Sequence, residues 1–589
     1  METDPWYENA VIYALDVETF MDDDGDGVGD FEGLIDRLDY LDRLGVTAVW
    51  LLPFYPTPNR DNGYDVTDYY GVDPRLGTLG DFVEFVDAAD DHGIRVITDL
   101  VVNHTSDEHP WFRRSRSEPD SAYRDYYVWA EELPPPNPDR GSVFPGEVED
   151  ERVWTYDSEA GAYYYHRFYP FQPDLDLSNP DVREEIYKIM NFWLQLGVDG
   201  FRVDAATLMI QSKHPDADEP EDPHELLRSL KRHVVARRPD GILLAEADDD
   251  PGELRAYFGD PPDADGEGER EGAGAGADAG EGEGKGEEKG PRRGEREGRR
   301  GANRGDEMDL LMNFVLNAHL IAALATGRAA PLAEGLDRIP HDTSGNFANF
   351  LRNYDELNIG RLPTALQREV FDRFAPEEEM RIYGRGIRRR LAPMVDGDRR
   401  RLELAYSLLF SLPGTPILLY GDEIGMGDDP SLPGRQSVRT PMQWDDRPNA
   451  GFSTADADAL VAPVVDDGPF RYQELNVADQ RADPDSLLAW MERLIAVRKE
   501  THAIGSGRYE PLETNDDAVF AHRVDGPRDA AAFVHNLSDE DRRVAVDLTG
   551  GDESLHPLFG DPDVRSPADG PTSVDLEQYG YGWFEIREP

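Results

Sequence analysis

The chain has 589 residues, enough for two to four domains and a large core. It carries 121 Asp and Glu against 60 Lys and Arg, a formal net charge of −61, so it lacks the basic patch needed to bind nucleic acid or an anionic membrane surface. Hydrophobic residues at 39% and aromatics at 10% are too many for a globally disordered polymer. What remains is a folded protein with a strongly acidic surface, expected where concentrated salt screens self-repulsion. Only six of the basic residues are lysine. Cysteine is absent, which excludes disulfides and thiolate chemistry. The first nine residues show no leader pattern, and no apolar run reaches the ~18 residues of a spanning helix. A soluble, cytoplasmic, halophilic protein is expected.

Short apolar runs alternate with amphipathic segments along the chain. Asn9–Leu15, Val46–Leu52 and Ile94–Val102 read as strands, separated by helical patterns at Phe31–Leu44 and Leu79–Asp91. A helix over Val182–Leu196 then precedes a strand at Gly200–Val203, and a helix over Glu225–Val235 precedes Ile242–Ala245. Leu310–Phe314, Phe347–Leu351 and Pro416–Tyr420 complete eight strands. Continuous apolar runs of this length suit parallel strands buried on both faces. Eight in alternation with helices predict an α/β fold, a (β/α)8 barrel.

Three segments interrupt the pattern. Residues 104–172, aromatic and proline-rich, are too long for a loop and predict a subdomain inserted after the third strand. Residues 260–305 are almost wholly Gly, Glu, Asp, Arg and Ala and predict a disordered insertion. Residues 505–589 alternate polar and apolar without a long helix, predicting a C-terminal β-sandwich. The barrel itself then comprises 1–103 and 173–500.

In such barrels chemistry sits at the C-terminal ends of the strands. Asp204, Glu246 and Asp355 each end or closely follow an apolar strand, and Asp99 follows Arg95-Val-Ile-Thr toward the end of another, where a merely solvated acid is not expected. Arg202, two residues before Asp204, projects to the same face of its strand and can hold that carboxylate ionised. Separately, Asp22-Asp-Asp24-Gly-Asp26-Gly-Val28-Gly-Asp30 alternates carboxylates with turn glycines, a pattern suited to a hard cation. Gly33 stands where an EF-hand needs Glu, so this is not an EF-hand.

Seven ordered motifs carry a family resemblance: Gly45–Pro53, Asp99-Leu-Val-Val-Asn-His104, Gln172-Pro-Asp-Leu-Asp176, Gly200-Phe-Arg-Val-Asp204, Ala245-Glu246, Asn353-Tyr-Asp355 and Gly414–Glu423. Together they resemble the α-amylase superfamily, glycoside hydrolase family 13, from about Trp6 to the mid-450s. Gly386–Pro393, Arg439-Thr-Pro-Met-Gln-Trp444 and Asn449–Ser453 look most like its trehalose synthase branch. The resemblance implies a retaining enzyme acting on maltose-type α-glucosides: Asp204 as nucleophile, Glu246 as acid/base, Asp355 as transition-state stabiliser. It further implies a sugar grip from Asp61, Tyr64, His104, Gln172, Arg202, Tyr354 and Arg439. Maltose–trehalose interconversion by intramolecular transglucosylation, hydrolysis of short α-glucans and a non-catalytic barrel scaffold are the readings in play. No organic cofactor is implied, and the only partner expected is a small sugar. A structural Ca2+ or Mg2+ is implied at Asp22, Asp24, Asp26, Val28 and Asp30. A second metal site would use Asn103 and Asp174, where Gln211 stands in for an acid. The motif normally reads Asn-His-Asp. Tyr354 replaces the histidine, and a phenol cannot carry an imidazolium's charge.

Overall fold

The structure, a computed structural model, describes residues 5–136, 141–145, 152–215, 220–260, 306–549, 553–560, 562–565 and 572–587. Eight strands close a parallel barrel: β1 (Ile12–Leu15), β2 (Ala48–Leu51), β3 (Arg95–Leu100), β4 (Gly200–Val203), β5 (Ile242–Ala245), β6 (Leu310–Met312), β7 (Asn346–Phe350) and β8 (Thr415–Leu419). Each pairs with its sequence neighbours among the eight, and β1 pairs with β8 to shut the ring. The register places Ile97 of β3 beside Gly200 of β4, and Gly200 beside Ile242 of β5. A Cβ on Gly200 would lie 2.5 Å from the Ile242 carbonyl oxygen, so this crossing requires glycine.

The helices Leu79–Asp91 and Glu225–Val235 have the bounds their periodicity predicts. Thr78 closes a capping box with Asp81 at the start of the first. The run at Leu310–Phe314 divides instead: Asn313 caps Phe314–Thr326, accepting from the Leu316 N–H. That helix is buried nearly all round, so it has no amphipathic period to read.

Between β3 and β4 a helix (Pro110–Ser117) packs with a three-stranded sheet made of Trp129–Ala130, Trp154–Asp157 and Ala162–Tyr165. The insertion expected at 260–305 lies, apart from Asp260, outside the described residues. At the C-terminus a five-stranded antiparallel sheet faces a three-stranded one across a core including Val534, Val544, Val574 and Phe584. Trp583 Nε1 donates to Ser407 Oγ at 2.8 Å, tying this domain to the barrel helix Arg399–Ser411. Among the described residues no helix is long and apolar enough to cross a membrane.

Candidate active site

At the C-terminal mouth of the barrel lies a cavity of about 230 Å3, lined by Asp61, Tyr64, His104, Asp204, Glu246 and Asp355 among others. That is smaller than most small-ligand sites, which run from about 300 to 1,000 Å3. Asp204 and Glu246 immediately follow β4 and β5, adjacent strands of the ring, so the topology alone sets them side by side.

Arg202 is the hub. Its Nη1 lies 2.6 Å from Asp204 and 2.9 Å from Asp99, and its Nη2 lies 2.9 Å from Glu246. One rigid guanidinium therefore holds the two candidate catalytic carboxyls on its two arms. Ala205 adopts a left-handed φ of 48°, rare outside glycine. This turn directs its N–H to Glu246 Oε2 at 3.0 Å.

Burial pushes both acids up to about 7, against the pull of Arg202. Asp99 is raised to about 6 for the same reason. Asp355 is different: burial disfavours its charge, but Arg435 and Arg439 outweigh that and hold its carboxyl below the ordinary range. Its Oδ1 accepts from Arg439 at 2.8 Å and also from Arg435.

Of the expected grip residues, Asp61, Tyr64, His104 and Gln172 line the cavity. Gln172 Nε2 donates to Asp61 at 3.0 Å, and Tyr64 donates its hydroxyl to Asp99 at 3.1 Å. Burial lowers the pKa of His104, favouring neutral imidazole, and its Nε2 lies 3.0 Å from the Tyr64 carbonyl. Arg202 and Arg439 stand behind the wall, acting on the acids.

Tyr354 is a correction. It is not among the residues that line the cavity; its phenol donates to Asp16, just beyond β1. A tyrosine reaches past the point where a histidine would stop, and a buried carboxylate is waiting there. Arg435 was not legible, because nothing marks one arginine among so many. Its Nη2 lies 2.6 Å from Asp61 while its Nη1 pairs with Asp355, and its guanidinium sits 4.5 Å from the centre of the Phe144 ring.

The expected second metal site is also corrected. Lys213 places its ammonium 2.7 Å from Asn103 Oδ1, 2.9 Å from the Asn103 carbonyl and 2.9 Å from Asp174. The charge a cation would supply is already covalently present. In the first loop, Asp22, Asp24 and Asp30 each bring a carboxylate oxygen within 4.8 Å of the others, and among the described residues no cationic side chain pairs with them. Three hard oxygen donors fit a divalent ion. Asp26 lies outside this trio, its carboxylate accepting from the Val28 N–H at 2.8 Å.

The barrel and site define a glycosidase-type enzyme. A family model for the α-amylase catalytic domain matches residues 13–267 and 388–507. The chain is 37% identical to a trehalose synthase from Pimelobacter sp. (strain R48), covering 100% of this chain and 97% of that one. It is 29% identical to an oligo-1,6-glucosidase from Parageobacillus thermoglucosidasius, covering 91% of each. A crystal structure of a trehalulose synthase MutB variant with Tris superposes with a TM-score of 0.74 at 26% identity, covering 99% of this chain and 100% of that one. The chain belongs to the α-amylase family, glycoside hydrolase family 13.

Proposed function

We propose that the protein interconverts maltose and trehalose, as a retaining trehalose synthase. The observation that carries the chemistry is the single Arg202 guanidinium shared by Asp204 and Glu246 at the base of a small cavity. In this reading Asp204 attacks the anomeric carbon while Glu246 protonates the departing oxygen, and a β-glucosyl–Asp204 intermediate forms. Asp355, kept ionised by two arginines, stabilises the positive charge that develops on the sugar. The released glucose reorients in the pocket. Glu246, now a base, takes the proton from its anomeric hydroxyl, which captures the intermediate.

Isomerisation requires glucose to be held and water kept out. Contacts across the pocket rim support this: Arg385 Nη2 donates to the Val143 carbonyl at 3.0 Å, and the Phe144 and Tyr383 rings lie 5.5 Å apart. Similarity over the whole length of this chain to relatives named as trehalose synthases supports the same choice. Asp22, Asp24 and Asp30 would hold a Ca2+ or Mg2+ that neutralises converging charge and braces the loop after β1. The net charge of −61 and the cysteine-free sequence support a workplace in the salt-rich, reducing interior of a cell.

The test is incubation with maltose in concentrated KCl, followed by chromatography of the products. Trehalose as main product, formed also in reverse, is expected. Glucose alone would show a hydrolase.

A further inference from the structure

The turn after β7 presents two of its three motif residues to the cavity, and they are not the two that the motif leads one to expect. Asn353 and Asp355 line it, while Tyr354 is not part of the wall and gives its phenol to Asp16. Tyr354 is held on three sides. Its phenol donates to Asp16, its carbonyl accepts from Arg439 Nε at 3.0 Å, and the Arg439 guanidinium lies 4.2 Å from its ring centre. Asp16 is itself anchored, capping the short helix Val17–Phe20 by accepting from the Glu18 N–H at 3.1 Å. A residue tied this way cannot swing to a sugar without stranding a buried carboxylate.

Asn353 is in the reverse position. Its residue is 8% exposed, it lies on the cavity wall beside Asp355, and its buried Oδ1 has no hydrogen-bond partner. A carboxamide offers an acceptor and donors, which is the complement of a sugar hydroxyl, and its two ends can exchange places by rotation about the last side-chain bond. An unpartnered buried amide is unfavourable in the free enzyme and is satisfied when a hydroxyl arrives.

We propose that Asn353, rather than Tyr354, is the residue by which this turn recognises a hydroxyl of the bound glucosyl ring, with the Asp16–Tyr354 pair setting the turn so that it does. This inference rests on the α-glucoside reading above.

The experiment couples side-chain and hydroxyl deletion. Wild type, Asn353→Ala, the isosteric Asn353→Asp and Tyr354→Phe are assayed on maltose and on maltoses lacking one hydroxyl of the non-reducing ring, with folding checked by thermal melts. Asn353→Ala is expected to lower kcat/KM on maltose about tenfold. On one deoxymaltose that penalty should vanish, because the partner is already gone. Asn353→Asp should show its change at the same hydroxyl, and the Tyr354→Phe penalty should be equal on every analogue. An Asn353 penalty that is uniform across analogues, or coupling at Tyr354 instead, overturns the assignment. Wild type inactive on every α-glucoside overturns the functional reading, and this inference with it.

Discussion

The Lys213 ammonium lies 2.9 Å from Asp174 Oδ2 and 2.7 Å from Asn103 Oδ1, both buried, so a side chain fills the position of a cation between the inserted segment and the barrel. Removing one partner of a buried ion pair leaves the other charge uncompensated, a loss of about 3–5 kcal/mol. Lys213→Ala should therefore melt well below wild type in a denaturant titration. Added Ca2+ should raise the melting temperature of this variant more than that of wild type, since the vacated oxygens suit a hard cation. Equal Ca2+ responses would mean that the lysine is not a cation surrogate.

The dyad predicts a narrow pH optimum. With Asp204 and Glu246 both pushed up to about 7, they share protons as a pair. Below neutrality both are protonated and the nucleophile is lost; above it both ionise and the acid is lost. kcat/KM should trace a bell with both limbs close to pH 7. Glu246→Gln, assayed on α-glucosyl fluoride, whose leaving group needs no proton, should lose the alkaline limb and keep the acid one. An alkaline limb surviving in that variant would assign it to another group.

Arg435 bridges Asp61 and Asp355 with the two arms of one fork. Arg435→Ala should let the Asp355 carboxyl rise toward its ordinary range and free both acids to move, reducing kcat/KM roughly tenfold to a hundredfold. Arg435→Lys should recover only part of this, because an ammonium is a point charge without the fork. Full recovery by lysine would show that charge alone matters.

At the Asp22–Asp30 loop, chelation at moderate salt should lower the melting temperature by several degrees, as expected when a ligand bound only to the native state is withdrawn. Asp30→Asn should blunt that response. The residual activity at low temperature should persist, because the loop holds no group of the acid dyad. A melting temperature indifferent to chelator would leave the trio without a bound ion, its carboxylates serving only to accept from the N–H groups of the loop.

The three candidate catalytic acids were legible because each stands at or just beyond the end of an apolar run, where an acidic side chain is otherwise unexplained. Two of those runs, Gly200–Val203 and Ile242–Ala245, are strands with those very bounds. The β6 strand stops at Met312, short of the expected Phe314, because the apolar helix Phe314–Thr326 follows with only Asn313 between and no change of period to mark the break. The cation loop was legible in composition, but which of its acids converge depends on the path of the turn, and Asp26 falls outside.

The sequence by itself determined the barrel, the order of its strands and the acids at their mouths, because these follow from local hydropathy and from residues adjacent to it. Only the tertiary structure decided what the long side chains touch. Lys213 meets Asn103 from 110 positions away, and Tyr354 meets Asp16 across 338. Arg435 reaches Asp61 across 374. No local pattern encodes those distances: closing a ring brings its first and last strands together, and a flexible arginine, lysine or tyrosine then pairs with whichever buried carboxylate lies within reach.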